Sequence, residues 1–378
     1  MSLRDRLDNS AATGRDRSSE LFEHFGLSRN PFPPAGEPSE HPHMATPPEE
    51  KVNDAVVVFH RDHTSQVLLI EGTQGVGKTN LLSFFQSELQ EVYRDDKAFY
   101  IIRYYPDPES SFDGIIRRLF QELGEAHLVK LGQKLYGMAS HEREEIISQA
   151  AGHEFRLVLH SLARTAERGG FEECVTLSLE WLVGLRLVKR HREVLGVQFR
   201  LDTVESKTQA LRDLVFCSSR LGLLKGIFLL LDELEKQDYS VSKMTVLRYL
   251  SAIRALIDSL PRHLFLLVAL TTEARRRYFE MLPAFAGRLQ NIVALEPLKT
   301  ASEAIELTNF YVKNERKRAI ETHQAISPGT QELVTDKQVR AVFRDLYDLS
   351  AEKGLEGVSH RDFLHQLHVL AEENISKV

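Results

Sequence analysis

A chain of 378 residues with 42% hydrophobic side chains has apolar material for about two or three packed domains. Its 48 Lys and Arg nearly balance 54 Asp and Glu, and the formal net charge of -6 excludes a protein whose whole surface embraces nucleic acid while leaving local basic patches open. Cys174 and Cys217 lie far apart with no C-x-x-C spacing, which excludes a disulfide framework or a thiolate zinc site and makes a reducing cytoplasm the expected location. No stretch reaches the roughly 18 uninterrupted apolar residues of a membrane span, so no membrane is expected as a partner.

In chain order, residues 1–20 are polar, lack hydrophobic periodicity and read as an arm without fixed structure. LFEHFGL is a short apolar segment, and the proline-rich stretch Asn30–Pro48 reads as irregular, because proline fixes φ and removes a backbone donor. Strands and helices then alternate. VLLIE (Val67–Glu71) reads as a buried strand, Thr79–Glu91 as a helix, and AFYIIRY (Ala98–Tyr104) as a second strand. A long, mostly helical insert follows over about residues 110–222, ahead of two continuous apolar runs, Gly226–Leu231 and Leu264–Leu270, typical of parallel strands covered on both faces. Three amphipathic helices, Ser302–Glu321, Thr335–Lys353 and Ser359–Glu373, close the chain. These elements predict an α/β fold of the P-loop type, a doubly wound parallel sheet with a helical insert and a C-terminal α-helical lid. The domains expected are an arm over 1–20, a nucleotide-binding α/β domain over 21–297, and the lid over 298–378.

Gly72-Thr73-Gln74-Gly75-Val76-Gly77-Lys78-Thr79 fits G-x-x-x-x-G-K-[ST] and lies where its chemistry requires, straight after a buried strand and opening a helix. Glycines let successive N–H groups face phosphate oxygens, and the helix N-terminus adds its positive end. Lys78 is expected to bridge the β- and γ-phosphates of ATP, the Thr79 hydroxyl to hold Mg²⁺, and Asn80 to border the nucleotide. The run GIFLLL ends in Asp232-Glu233, an acidic pair in which Asp232 suits the Mg²⁺ shell and Glu233 suits orientation and deprotonation of the attacking water. After Leu264–Leu270 come Thr271 and Thr272, a site either for a hydroxyl that senses the γ-phosphate or for an ordinary helix cap.

GTQGVGKT, LLLDELE, LFLLVALTTE and AFAGRLQNIVALEPL, in that order and followed by a helical lid, resemble the AAA+ superfamily, in its branch of origin-recognition, initiator and transposition-regulator ATPases. The segment FGLSRNPFPPAGEP is similar to the part of those proteins that lies near adenine. WLVGLRLVKRHREVLG, LLLDELEK and PAFAGRLQNIVALEPL resemble bacterial ATP-binding proteins of phage-defence operons such as BREX. The resemblance implies ATP hydrolysis at subunit interfaces of a homo-oligomer, ring or filament, with Arg288 as an arginine finger and Arg361, near the start of a lid helix, as a nucleotide contact. Arg275, Arg276 and Arg277 are rivals for the finger, and Arg288 paired with a nearby acid is the plainer alternative. DNA, or a helicase, nuclease or methylase, is the partner class implied. The spacing between Lys78 and Asp232 exceeds what a minimal AAA+ core needs, which the insert explains, and no winged-helix tail follows the lid.

His41-Pro-His43 and His60-Arg-Asp-His63 are histidine pairs without further ligands and read as solvated side chains rather than a metal site. Three basic clusters, Arg186–Arg192, Arg275–Arg277 and Lys313–Arg318, suit either phosphate contacts or solvated helix faces. Trp181 reads as a core anchor of the insert.

Overall fold

A computed structural model describes residues 21–34, 41–105, 113–235, 242–323 and 332–377, so the expected arm over 1–20 lies outside the described residues. Five parallel strands form the sheet: β1 (Gln66–Glu71), β2 (Phe99–Tyr104), β3 (Gly226–Leu231), β4 (Leu264–Leu270) and β5 (Asn291–Ala294), in the order β2-β3-β4-β1-β5. Every residue of β3 and β4 is buried, as continuous Leu, Ile, Phe and Val runs demand of central parallel strands. Their register pairs Phe228 with Phe265 and Leu229 with Leu266, and β4 in turn pairs Leu267 with Leu68 of β1. Because the strands are parallel, Leu231 and Leu270 end on one edge, and the segments that follow them carry Asp232 and Thr271.

Helices flank these strands: α1 (Glu50–Asp62) before β1 and α2 (Lys78–Val92) between β1 and β2. The expected helical insert is present between β2 and β3 as α3 (Asp113–Tyr136), α4 (Ser140–Gln149), α5 (His153–Arg168), α6 (Phe171–Leu182), α7 (Lys189–Leu195) and α8 (Val204–Arg220). Gly124, at φ 66, kinks α3, a conformation that a side chain would strain. Leu131, Phe155, Leu162 and Trp181 of the insert share one apolar cluster with Leu229 and Leu266 of the sheet, so the insert completes the sheet's core. Trp181 is 1% exposed, and its indole N–H donates to the Phe199 carbonyl at 3.0 Å. α9 (Lys243–Ser259), α10 (Thr272–Met281) and the short α11 (Pro283–Ala286) complete this part.

The terminal helices are α12 (Ala301–His323), α13 (Asp336–Glu352) and α14 (His360–Ile375). Their apolar faces enclose Leu307, Tyr311, Phe343, Phe363 and Leu367 together with Phe22, Phe25, Leu27 and Phe32. The apolar LFEHFGL segment therefore belongs to the lid's core. By contact density the chain forms two compact units: one of Met1–Pro47, Gly72–Ser83 and Leu295–Val378, the other of Pro48–Glu71 and Phe84–Ala294. A linear division after residue 297 follows chain order, whereas these units follow contacts, and the phosphate-loop sequence groups with the lid. No described helix is long and apolar enough to cross a membrane.

Candidate functional site

Gly72–Gly77 forms a tight loop between β1 and α2, and Lys78 and Thr79 open the helix. Gly75 and Gly77 adopt φ of 82° and 101°, which only glycine accepts without strain, and a Cβ added at Gly77 would meet nothing within 4 Å. Space beside Gly77 is open, and α2 begins at Lys78, a helix N-terminus of the kind that suits an anion. Lys78 Nζ donates to the carbonyls of Gly72 and Thr73, each at 2.9 Å. Gly72 is closely packed, with a built Cβ falling 2.7 Å from the Leu295 carbonyl. A cradle with open space and a lysine folded over its rim fits a polyphosphate.

Asn80, in the first turn of α2, holds the segment around His41 and His43. Its Oδ1 lies 2.7 Å from His43 Nδ1, and its Nδ2 donates to the His41 carbonyl at 3.2 Å. The lid helix meets the loop through its first turn. Ser359 caps α14 by accepting from the Asp362 N–H at 3.1 Å, as its sequence predicts. The Arg361 N–H donates to the Gly75 carbonyl at 3.0 Å, and His360 Nδ1 lies 2.9 Å from the Val76 carbonyl. A Cβ on Gly75 would sit 3.0 Å from Ser359 Oγ and 3.2 Å from Arg361 Cβ. Arg361 therefore touches the loop through its backbone, while its side chain is exposed. His360, whose burial lowers its pKa, is the contact that sequence reasoning missed, and no pattern in the chain marks it out.

In the other unit, Asp232 follows β3 and is 1% exposed. Its Oδ2 accepts from Arg103 Nη2 of β2 at 2.7 Å, and their side chains are only 2% and 8% exposed. Arg103 also lies over the Tyr105 ring, 4.8 Å from its centroid. This arginine was overlooked in the sequence, although a cation inside the apolar run AFYIIRY signals a buried partner. Glu233 adopts φ 53, an uncommon conformation for a side-chain-bearing residue and one that recurs at functional turns. Thr271 Oγ1 accepts from the Ala274 N–H at 3.2 Å and caps α10, whose first residue is Thr272. Of the two readings open for this pair, capping accounts for the Thr271 hydroxyl.

Arg288 forms a two-point ion pair with Asp258 of α9, at 2.7 and 3.2 Å, and that bond holds the Asp258 carboxyl below its usual range. Arg275 pairs with Glu71, the last residue of β1, at 2.9 Å and lies over the Phe279 ring. Among the described residues no three His, Cys, Asp or Glu side chains form a metal-holding group. Thr79 in one unit and Asp232 in the other each carry a hard oxygen donor, the type Mg²⁺ takes.

Among solved structures, the ORC2 protein of Aeropyrum pernix in ADPNP–ADP complexes is similar at 14% identity, over 87% of this chain and 68% of that chain, with TM-score 0.40. Its ADP form matches at 13% identity over 89% and 70%, with TM-score 0.38. The Walker-type ATPase of Pyrococcus abyssi matches at 16% identity over 91% and 77%, with TM-score 0.33. No curated protein sequence matches the chain. The profile of one family, described as BREX system ATP-binding protein BrxC/D, matches residues 87–375, beginning just after the phosphate-loop sequence. With that match running from within α2 to the end of the lid, the chain belongs to the BrxC/D family of BREX system ATP-binding proteins.

Proposed function

We propose that the protein is an AAA+ ATPase of phage defence that binds and hydrolyses ATP at subunit interfaces and so controls an assembly on DNA or with a DNA-processing partner. The observation carrying this reading is the left-handed Gly75 and Gly77 loop opening a helix at Lys78, in a chain whose buried β3 is followed directly by Asp232-Glu233. In it the loop N–H groups and Lys78 would hold the phosphates, and Thr79 and Asp232 are the residues that would each supply an oxygen ligand to Mg²⁺. Bound Mg²⁺ would neutralise charge on the phosphates. Glu233 accepts the proton of the attacking water, and the left-handed backbone at Glu233 fixes where its carboxylate starts. Arg288 would leave Asp258 to reach the nucleotide of a neighbouring copy, an exchange that costs little because the Asp258 pair is solvent-exposed.

Steady-state phosphate release tests the reading. Glu233→Gln is expected to retain ATP and stall turnover, and Arg288→Ala to lower turnover at saturating protein while leaving nucleotide affinity nearly intact. Undiminished release by Glu233→Gln removes its role as base, and undiminished release by Arg288→Ala removes the finger. The net charge of -6 favours a second reading, a nucleotide-switched interaction scaffold that never touches DNA. Absence of DNA binding at low ionic strength, with and without ATP, selects the scaffold.

A further inference from the structure

We infer that His360 is a positioning residue for the phosphates: its imidazole and the Arg361 N–H hold two consecutive carbonyls of the loop, and so turn the two N–H groups that follow toward the nucleotide. The inference rests on the ATP reading above and assigns part of the loop's grip to the first turn of α14. Loop and helix start lie in one compact unit, which joins Gly72–Ser83 to Leu295–Val378.

A trans, planar peptide sets each carbonyl opposite the N–H of the next residue. The Gly75 carbonyl accepts from the Arg361 N–H at 3.0 Å, and the Val76 carbonyl lies 2.9 Å from His360 Nδ1. A carbonyl can only accept, so Nδ1 carries the proton. Both carbonyls face α14, and the N–H groups of Val76 and Gly77 therefore face away from it. Neither of these N–H groups takes up a hydrogen bond among the described residues, although Val76 is only 4% exposed. Buried N–H groups are seldom left so, and the pair marks a place for an acceptor from outside the chain. The backbone alternates from φ 82 at Gly75, through a negative φ at Val76, to φ 101 at Gly77, and such alternation gathers successive N–H groups around one anion.

His360 is aimed by a fixed frame. Leu298 and Val358 exchange two backbone hydrogen bonds of 2.9 Å each, and a Cβ on Gly357, at φ 146, would lie 2.7 Å from the Leu298 carbonyl. Ser359 then caps the helix, and the imidazole follows directly. Burial lowers the His360 pKa, so the ring is neutral at pH 7 and acts through its donor and the loop, not as a cation beside the phosphates.

The test is displacement of a fluorescent ATP analogue from the full-length protein with Mg²⁺, by pyrophosphate and separately by adenosine, with urea unfolding showing that each variant is folded. His360→Ala is expected to weaken pyrophosphate competition by roughly 2- to 12-fold, the net contribution of one hydrogen bond, and to leave adenosine competition unchanged. His360→Phe, which fills the space without a donor, is expected to match it and takes its place should the alanine variant not fold. His360→Asn, whose amide offers a donor close to where Nδ1 stood, is expected to recover pyrophosphate binding. Equal weakening of pyrophosphate and adenosine means that the ring only holds the lid, and overturns the inference. An asparagine variant as weak as the phenylalanine one overturns the role of the donor. Folded donorless variants that bind pyrophosphate like the wild type overturn the positioning and keep the ATP reading, whereas a wild type that binds no analogue overturns both.

Discussion

Replacing Arg103 by alanine removes the guanidinium that faces Asp232 and leaves a carboxylate buried at 1% exposure. A buried pair broken on one side costs about 3–5 kcal/mol, because the remaining charge keeps its desolvation penalty and loses this partner. In a unit of this size each kcal/mol shifts the melting temperature by about 2–4 °C, so Arg103→Ala is expected to lower it by roughly 6–20 °C. The Arg288–Asp258 pair supplies an internal contrast. Its side chains are 43% and 36% exposed, and Arg288→Ala should cost under about 1 kcal/mol. The readout is urea unfolding followed by Trp181, the chain's one tryptophan, buried in the core of the unit that holds both pairs. Removing both Arg103 and Asp232 should be less harmful than the sum of the single changes, since the two charges that offset each other then go together. If Arg103→Ala stays within about 1 kcal/mol of the wild type, Asp232 is not held in the way described.

Three other outcomes follow from the structure. Gly75→Ala puts a Cβ 3.0–3.2 Å from Ser359 and Arg361 at φ 82, so it should destabilise by about 1–2 kcal/mol and speed exchange of the Arg361 amide that bonds the Gly75 carbonyl; unchanged exchange contradicts the described loop–helix contact. His127 is buried between Tyr100 Oη at 2.8 Å and Ser218 Oγ at 2.7 Å, and burial pushes its pKa down to about 4 from 6.5. Its folded form is neutral, so its stabilising effect is complete above pH 6.5 and is lost as pH falls toward about 4, by up to about 3 kcal/mol. His127→Gln should flatten the stability profile in that window, and an unaltered profile rejects the assignment. Asn80→Ala should loosen the segment around His41 and His43, seen as faster amide exchange there with little change in the sheet; unchanged exchange means that Asn80 does not anchor it.

Much of this architecture was legible in the chain because its signals are local. The four apolar runs become β1 to β4 nearly residue for residue; in β3 and β4 the continuous apolar stretches suit strands covered on both faces, while β2, at the sheet edge, is only partly buried. The phosphate loop was readable because its glycines answer a backbone requirement, and Ser359 because an N-cap is a short-range bond. The fifth strand, NIVA, escaped because it is only four residues long with Val293 alone buried, and its place is set by pairing with β1. Arg103 and His360 escaped for the same kind of reason. Their partners, Asp232 and the Val76 carbonyl, are distant in sequence, and no periodicity records a contact made by the fold. The hydroxyl of Thr271 shows the opposite case, where a local cap accounts for a residue that also suited a phosphate sensor.

The central claim is that Gly72–Thr79 holds the phosphates of ATP, and equilibrium titration of the protein with a fluorescent ATP analogue and Mg²⁺ tests it most directly. The account predicts that the wild type binds, that Glu233→Gln binds as well or better, and that Lys78→Ala loses binding by about 100-fold or more, since a charge-assisted lysine contact to two phosphates is removed. Equal affinity in the wild type and in Lys78→Ala would contradict it.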